Sequence, residues 1–383
     1  MNECHPYYSH TFNLHCCVIS ALKLEMRPHI TGRNIYLTLD FLRFTLPTSN
    51  QRLYHKIRDH LSEDDWRQAQ SLSGLPIVHH EGYVCPLPAN HRFKMMKFHH
   101  LYQILLKDGV INKGKQVIYP QQVSQEVTAS VHSKCYVKNF FDGQTSREEQ
   151  RITGFEWTRG LASRVRYETG GTILAAKLCL ERGLACSTGG GTHHAFPGHG
   201  SGYCLINDLA VAAHNLIHCG LATKVLIVDL DVHQGDGTAF SVFQDRPDIF
   251  TLSFHCQNNF PLRKQKSDLD VGLQTGIGDN EYIKILSDYL PAVLDSFHPD
   301  IILYDAGVDP HHKDQLGKLK LSDKGLLKRD TYVLKSAICC GIPIATVIGG
   351  GYDDIMELSA RHTIIHRAAQ EIWNIYLEVS QTF

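Results

Sequence analysis

From Leu75 onward the chain alternates short, near-continuous apolar runs with longer stretches of helical period. The runs are Pro76-Ile77-Val78, Leu184-Ala185-Cys186-Ser187, Val225-Leu226-Ile227-Val228 and the segments 249–254, 301–304 and 342–348. Apolarity that is continuous rather than alternating predicts strands of a parallel sheet, buried on both faces. Between them the pattern predicts helices. One runs from Met95 to Leu106 and stops near Gly109, and one from Gly170 to Gly183. Another is capped by Asn207 or Asp208 and ends at Gly220, and more lie near 281–297, 322–339 and 354–376. Strand and helix in turn imply an α/β fold, a mainly parallel sheet with helices on both faces. No internal repeat or low-complexity segment interrupts it.

Residues 1–74 break this rhythm. Leu53 to Ala69 has the composition of a polar helix, and Cys4-His5 with His10, His15, Cys16 and Cys17 invites a zinc-finger reading. The spacing fits no common structural zinc pattern. The expectation is an N-terminal extension over 1–74 without an assigned role, and one domain over 75–383.

Composition acts mainly by exclusion. Hydrophobic residues make up 43% of the 383, enough for a sizeable core. No stretch approaches the roughly 18 apolar residues of a membrane span. A formal charge of −1 argues against a partner held through its phosphates, so no direct nucleic-acid binding is expected. The 12 cysteines contain no C-x-x-C pair and read as free thiols of a reducing compartment, cytoplasmic or nuclear.

Chemistry gathers just past the carboxyl ends of the predicted strands, where open α/β sheets place their ligand sites. His193-His194 follow the triplet Gly189-Gly190-Gly191, and Asp229, Asp231, His233 and Asp236 follow the run 225–228. Asp305 and Asp309 follow Ile301-Ile302-Leu303-Tyr304, and Tyr352 follows a second triplet, 349–351. Burying so many polar groups is costly unless a cation or hydrogen bonds compensate them. Asp231, His233 and Asp309 offer two oxygens and a nitrogen, a set that leaves a metal one open position. Zinc suits it best, with ferrous iron or cobalt as substitutes. His193 and His194 then supply proton transfer, Asp229 and Asp236 orient those imidazoles, and the Tyr352 phenol donates to an oxyanion.

These motifs, with Gly202-Tyr203-Cys204 and Asn207-Asp208, resemble the zinc-dependent histone deacetylase family over about residues 75–375. Gly170 to Gly183 and Asp314 to Leu321 look closest to the class IV branch and its bacterial relatives, and Pro86 to Phe93 to bacterial-type members. The resemblance implies the arginase/deacetylase-like three-layer fold with a central, mainly parallel eight-stranded sheet. It matches Asp231, His233 and Asp309 to the Zn2+ ligands, His194 with Asp236 to the general base and acid, and His193 with Asp229 to its electrostatic neighbour. It matches Tyr352 to the carbonyl-polarising phenol, and Gly202, Tyr203 and Phe260 to the floor and walls of an acyl-lysine tunnel. Tyr203 departs from the more usual phenylalanine. K+ is implied as a structural ion near the Asp229–His233 strand, with Ser253 a candidate ligand.

The implied activity is hydrolysis of N-acetyl-lysine, in a histone or another protein, by metal-activated water. Alternatives are an acetylpolyamine or a long-chain acyl-lysine substrate. Leu316 stands where a polyamine enzyme is expected to hold a carboxylate, which weakens the first of these. An arginase-like binuclear hydrolase would need a second metal-binding carboxylate pair. A catalytically silent scaffold would be expected to have lost one of the inferred groups.

Overall fold

The computed structural model describes residues 51–240 and 246–377, all within the unit Thr45–Phe383. The Cys4–Cys17 cluster and the rest of residues 1–50 lie outside the described residues. Eight strands form one sheet: β1 (Ile77–Val78), β2 (Val117–Ile118), β3 (Leu184–Ser187), β4 (Val225–Asp229), β5 (Ile249–Cys256), β6 (Leu269–Leu273), β7 (Ile301–Asp305) and β8 (Ile344–Val347). Their order is β2-β1-β3-β8-β7-β4-β5-β6, and every pairing is parallel. This is the expected eight-stranded α/β arrangement.

The strands missing from the sequence reading, β2 and β6, are the two edges. β2 is two residues long, and β6 carries Asp270 and Gly272 on a half-exposed ladder. An edge strand needs no continuous apolar run, so it leaves a weak pattern. The central strands β3, β4, β7 and β8 are buried along their whole length.

Eight helices of nine or more residues occur among the described residues. They are α1 (Gln51–Asp59), α2 (Glu63–Ser71), α3 (Lys97–Lys107), α4 (Arg159–Arg182), α5 (Asp208–His218), α6 (Asp279–Phe297), α7 (Asp323–Cys339) and α8 (Ile355–Ile372). α4 packs on α5, while α3, α8, α7 and α6 pack in that succession. α4 is capped by Thr158 and starts at Arg159, eleven residues before Gly170. Gly170 and Gly171 are therefore interior. A side chain on the first would strike the backbone at Gln121, and one on the second the Tyr83 hydroxyl. Close packing, not helix initiation, explains the pair.

The polar helix read from Leu53 to Ala69 is two helices, divided where the Ser62 hydroxyl caps α2 by accepting from Asp65 N at 3.0 Å. Ile57, Ala69 and Leu72 enter the hydrophobic core. Lys177 Nζ donates to His60 O at 2.7 Å and Arg182 to Ala69 O at 3.2 Å, so α1 and α2 share the core of the domain that follows. All nine cysteines among the described residues are free thiols. No helix among them is long and apolar enough to cross a membrane.

Candidate active site

β4 and β7 are neighbours in register, Asp229 opposite Asp305, so the turns beyond them lie side by side. The first turn carries Asp231 and His233, the second Asp309, and one ligand atom from each falls within 4.8 Å of the others. Asp231 Oδ1 accepts from His233 N at 2.8 Å, and Asp309 Oδ1 from Val232 N at 2.8 Å, which locks both carboxylates by their backbones. Arg329, buried on α7, donates to Leu230 O at 3.2 Å and Gly307 O at 2.7 Å. One guanidinium thus pins both turns.

Of the remaining oxygens, Asp231 Oδ2 is buried without a hydrogen-bond partner, and Asp309 Oδ2 faces only His233 Nδ1, at 3.1 Å, a nitrogen that also lies 3.0 Å from Asp231 Oδ1. Uncompensated buried carboxylates cost several kcal/mol, which a shared cation would relieve. Gly350, at φ 55°, keeps this space open, because a Cβ there would come within 2.5 Å of Asp231 Oδ2 and closer still to Asp309. The donor set and the space both fit a metal ion. Titration agrees. Burial and the nearby Asp231 charge raise Asp309 to about 7. Burial would lower His233, but its contacts with Asp231 and Asp309 outweigh that and raise it to about 10. The group retains protons that a divalent cation would replace.

His193 and His194 follow β3 on a loop fixed by Asp208. That carboxylate accepts from Gly191 N at 3.2 Å and from Thr192 N at 2.7 Å. The helix cap of α5 is Asn207, whose Oδ1 accepts from Ala210 N at 3.0 Å. His193 Nδ1 lies 2.7 Å from Asp229 Oδ2, and His194 Nδ1 lies 2.6 Å from Asp236 Oδ1. Their rings are 4.2 Å apart, yet their titrations diverge. Burial opposes charge on His193, but Asp229 and Asp231 outweigh it and hold the imidazole well above its ordinary range. For His194, burial and the charge on His193 win over Asp236, and its affinity for protons falls. A charged and a neutral imidazole side by side divide the electrostatic and acid–base roles between them.

Tyr352 N donates to Asp314 Oδ2 at 2.7 Å, and Asp314 also accepts from Leu316 N and Gly317 N, each at 2.8 Å. One carboxylate therefore sets both Tyr352 and the Leu316 turn. The Tyr352 ring centre is 6.2 Å from that of His233. Burial, then the charges of Asp231 and Asp309, hold its phenol well above the usual range, so it stays a donor. Gly202 lies against His194 and Phe260. Tyr203 stands 5.8 Å from Tyr352 between ring centres, and Phe260 stands 5.0 Å from His194. Leu316 is half-buried, and its carbonyl accepts from Asn259 Nδ2 at 2.8 Å. Ser253 pairs with Asp229 across the β4–β5 ladder, and its hydroxyl bonds His255 Nδ1 at 3.0 Å.

Three charged residues absent from the sequence reading line a cavity beneath His193, His194 and Tyr352: Lys97, Arg164 and Glu168. Arg164 and Glu168 pair at 2.6 Å. Burial, with Arg164 adding to it, lowers Lys97 to about 8. Burial likewise raises Glu168 to about 7, partly offset by Arg164. A signal existed, since Lys97 shares the apolar face of α3 with Leu101 and Leu105, and Arg164 and Glu168 are one helical turn apart.

A family model described as the histone deacetylase domain matches residues 91–368. The chain belongs to the histone deacetylase family. It is 50% identical over 301 residues to an uncharacterized protein of Picosynechococcus, covering 78% of this chain and 100% of that one. It is 31% identical to histone deacetylase 2 of Arabidopsis thaliana, covering 76% of this chain and 77% of the relative. It is 30% identical to the acetoin utilization protein AcuC of Bacillus subtilis, over 69% and 73% of the two chains. The crystal structure of the HDA15 HD domain shares its fold, at a TM-score of 0.64 and 21% identity, covering 81% of this chain and 96% of that domain. As a histone deacetylase family member, the chain is a deacetylase-type hydrolase, and its α/β sheet is that of the family.

Proposed function

We propose that this deacetylase hydrolyses N-acetyl-lysine in proteins, histone or other, using a zinc ion held by Asp231, His233 and Asp309. The observation that carries the reading is the meeting of those three side chains, with one imidazole nitrogen shared by two carboxylates and Asp231 Oδ2 unpartnered, beside His194 and Tyr352. Two oxygens and a nitrogen form a borderline-hard set suited to zinc. Bound there, the ion supplies Lewis acidity toward the acyl carbonyl and the attacking water.

His194 is anchored at Nδ1 by Asp236, which leaves Nε2 to take a proton as water adds to the carbonyl carbon. The Tyr352 hydroxyl donates to the oxygen that gains negative charge. His193, charged and held by Asp229, adds positive potential beside it. His194 Nε2 then passes its proton to the departing nitrogen, so amide and water leave as amine and carboxylic acid. Gly202, Tyr203 and Phe260 form the walls of the lysine passage, contributing about 0.8 kcal/mol for each methylene buried. A structural potassium ion beside the Asp229–His233 turn belongs to the same reading.

The test replaces His194 with alanine and measures both turnover and bound metal. Turnover of an acetyl-lysine peptide falls by about 10²–10⁴-fold with the metal retained. Retention of most activity would remove His194 from its role. Long-chain acyl-lysine substrates enter the same assay as competitors of acetyl-lysine.

A second, binuclear reading draws on one observation. His193, Asp229 and Asp305 also bring ligand atoms within 4.8 Å of one another. The short His193–Asp229 hydrogen bond favours the single-ion reading, because it already occupies both partners. Two catalytic ions per chain in metal analysis would reverse that preference.

A further inference from the structure

Two loops meet beside Phe260, at the entrance to the site: residues 258–266, between β5 and β6, and residues 313–320, after β7. Lys318 Nζ donates to Asn258 O at 2.6 Å and Lys264 Nζ to Asn259 O at 2.7 Å, while Asn259 reaches Leu316 O. The loops therefore form one laced rim. The whole β5–β6 connection and residues 313–320 carry six basic residues, Arg263, Lys264, Lys266, Lys313, Lys318 and Lys320, and two acids, Asp314 and Asp268, the latter accepting from Thr251 N and Oγ1 at 2.8 Å. Asp314 turns inward to the backbone of Leu316, Gly317 and Tyr352, and Lys313 is paired with Glu357 at 2.8 Å.

Arg263, Lys266, Lys318 and Lys320 stay exposed, and none makes an ion pair among the described residues. Across the entrance, His91 stacks on Phe155 and lies 5.8 Å from Tyr203, and the chain continues into exposed Arg92. On that side Glu156, exposed, directly follows Phe155, and Glu81 is the exposed acid nearest Arg92 in sequence. Since the whole chain carries only −1, this excess of positive charge is local. Leu262, 91% exposed, stands within it and offers an apolar contact to whatever docks.

We infer that this rim selects acyl-lysine flanked by acidic residues in a protein chain, and disfavours acylated polyamines. The inference rests on the proposed hydrolysis of N-acyl amines and names the substrate class within it. A lysine side chain seated between Tyr203 and Phe260 leaves its neighbours in the peptide against the rim, where carboxylates complement Arg263, Lys266 and Lys318. An acylpolyamine would instead bring ammonium groups to the same place. Complementary fields raise encounter rates, and like charges suppress the wrong partner.

The test uses the full chain loaded with zinc and compares kcat/KM for three acetyl-lysine peptides, with acidic, neutral and basic flanks, and for acetylspermidine. The acidic peptide should exceed the basic one by about tenfold at low salt, the lower end of what steering supplies. The ratio should shrink as salt rises. The double variant Arg263→Glu, Lys266→Glu should reverse the ranking, a ratio that a general loss of activity does not move. Equal turnover of the three peptides, or acetylspermidine outpacing the acidic peptide, overturns the inference and leaves the hydrolase reading intact. No hydrolysis of any acyl substrate overturns both.

Discussion

Two buried groups of identical composition lie side by side at the carboxyl edge of the sheet. Each holds one imidazole and two carboxylates with ligand atoms within 4.8 Å of one another. In the first, Asp231, His233 and Asp309, the carboxylates spend one oxygen each on backbone N–H groups, His233 Nδ1 is shared between Asp231 Oδ1 at 3.0 Å and Asp309 Oδ2 at 3.1 Å, and Asp231 Oδ2 is left without a partner. In the second, His193 and Asp229 satisfy one another at 2.7 Å, Asp229 also accepts from Asp231 N, and only Asp305 is left over. The contrast teaches that composition and proximity do not make a metal site. What distinguishes them is where the spare lone pairs point and whether a hydrogen bond has already closed the group.

The largest effect should come from the open group. Asp309→Asn removes one of two anionic ligands and leaves a neutral amide beside Asp231. The purified variant should lose its bound divalent ion on dialysis and with it all measurable deacylation. Metal content at wild-type level with activity lost would instead limit Asp309 to a role in shaping the loop. Metal content and activity both kept would make the second group the better candidate, and the comparison would invert.

Tyr352 sharpens the same contrast at a smaller scale, because burial, and then the charges of the first group, hold its phenol in the protonated form. Removing one donor from a developing oxyanion costs about 10²–10³-fold in kcat. Tyr352→Phe should therefore lose activity in that range while its metal content and KM hold. A variant as active as the wild type would show that the hydroxyl does not reach the reacting oxygen.

Legibility from the sequence follows the same division. The central strands β4 and β7 carry no charge until their terminal aspartates, so their ends could be located, and with them Asp231, His233 and Asp309. The edge strands β2 and β6 leave weak patterns for lack of burial, and Gly170-Gly171 misled because close packing and helix ends call for the same residue. What could not be read is the support from distant elements. Arg329 comes from a helix that begins after the turns carrying Asp231, His233 and Asp309, and Lys97 and Arg164 from helices before them. Asp208 looked like a cap and instead holds the loop of His193 and His194. Hydrophobic period locates an element, whereas a single long side chain crossing the core has no period.

Asp305 gives the smallest and most diagnostic effect. Its carboxyl is fully buried, both oxygens lack partners, and burial with the Asp229 charge raises its affinity for protons well above the usual carboxylate range. In the metal-free folded chain burial favours its neutral form, while the unfolded chain ionises it near the ordinary value of 3.8. As pH rises above that value the unfolded state releases a proton that the folded state keeps, so stability falls with pH until the folded carboxyl also titrates. Asp305→Asn cannot ionise in either state and should remove that decline. Measured on metal-free protein, the Tm of the variant should therefore change less steeply between pH 5 and pH 8 than that of the wild type, with near-equal stability at the acidic end. Parallel Tm curves would mean that Asp305 is ionised in the metal-free fold, its charge offset by the His193 imidazole 3.9 Å away. A wild-type curve that becomes parallel to that of the variant only when divalent ion is restored would make the second group a metal site, and its likeness to the first would extend beyond composition.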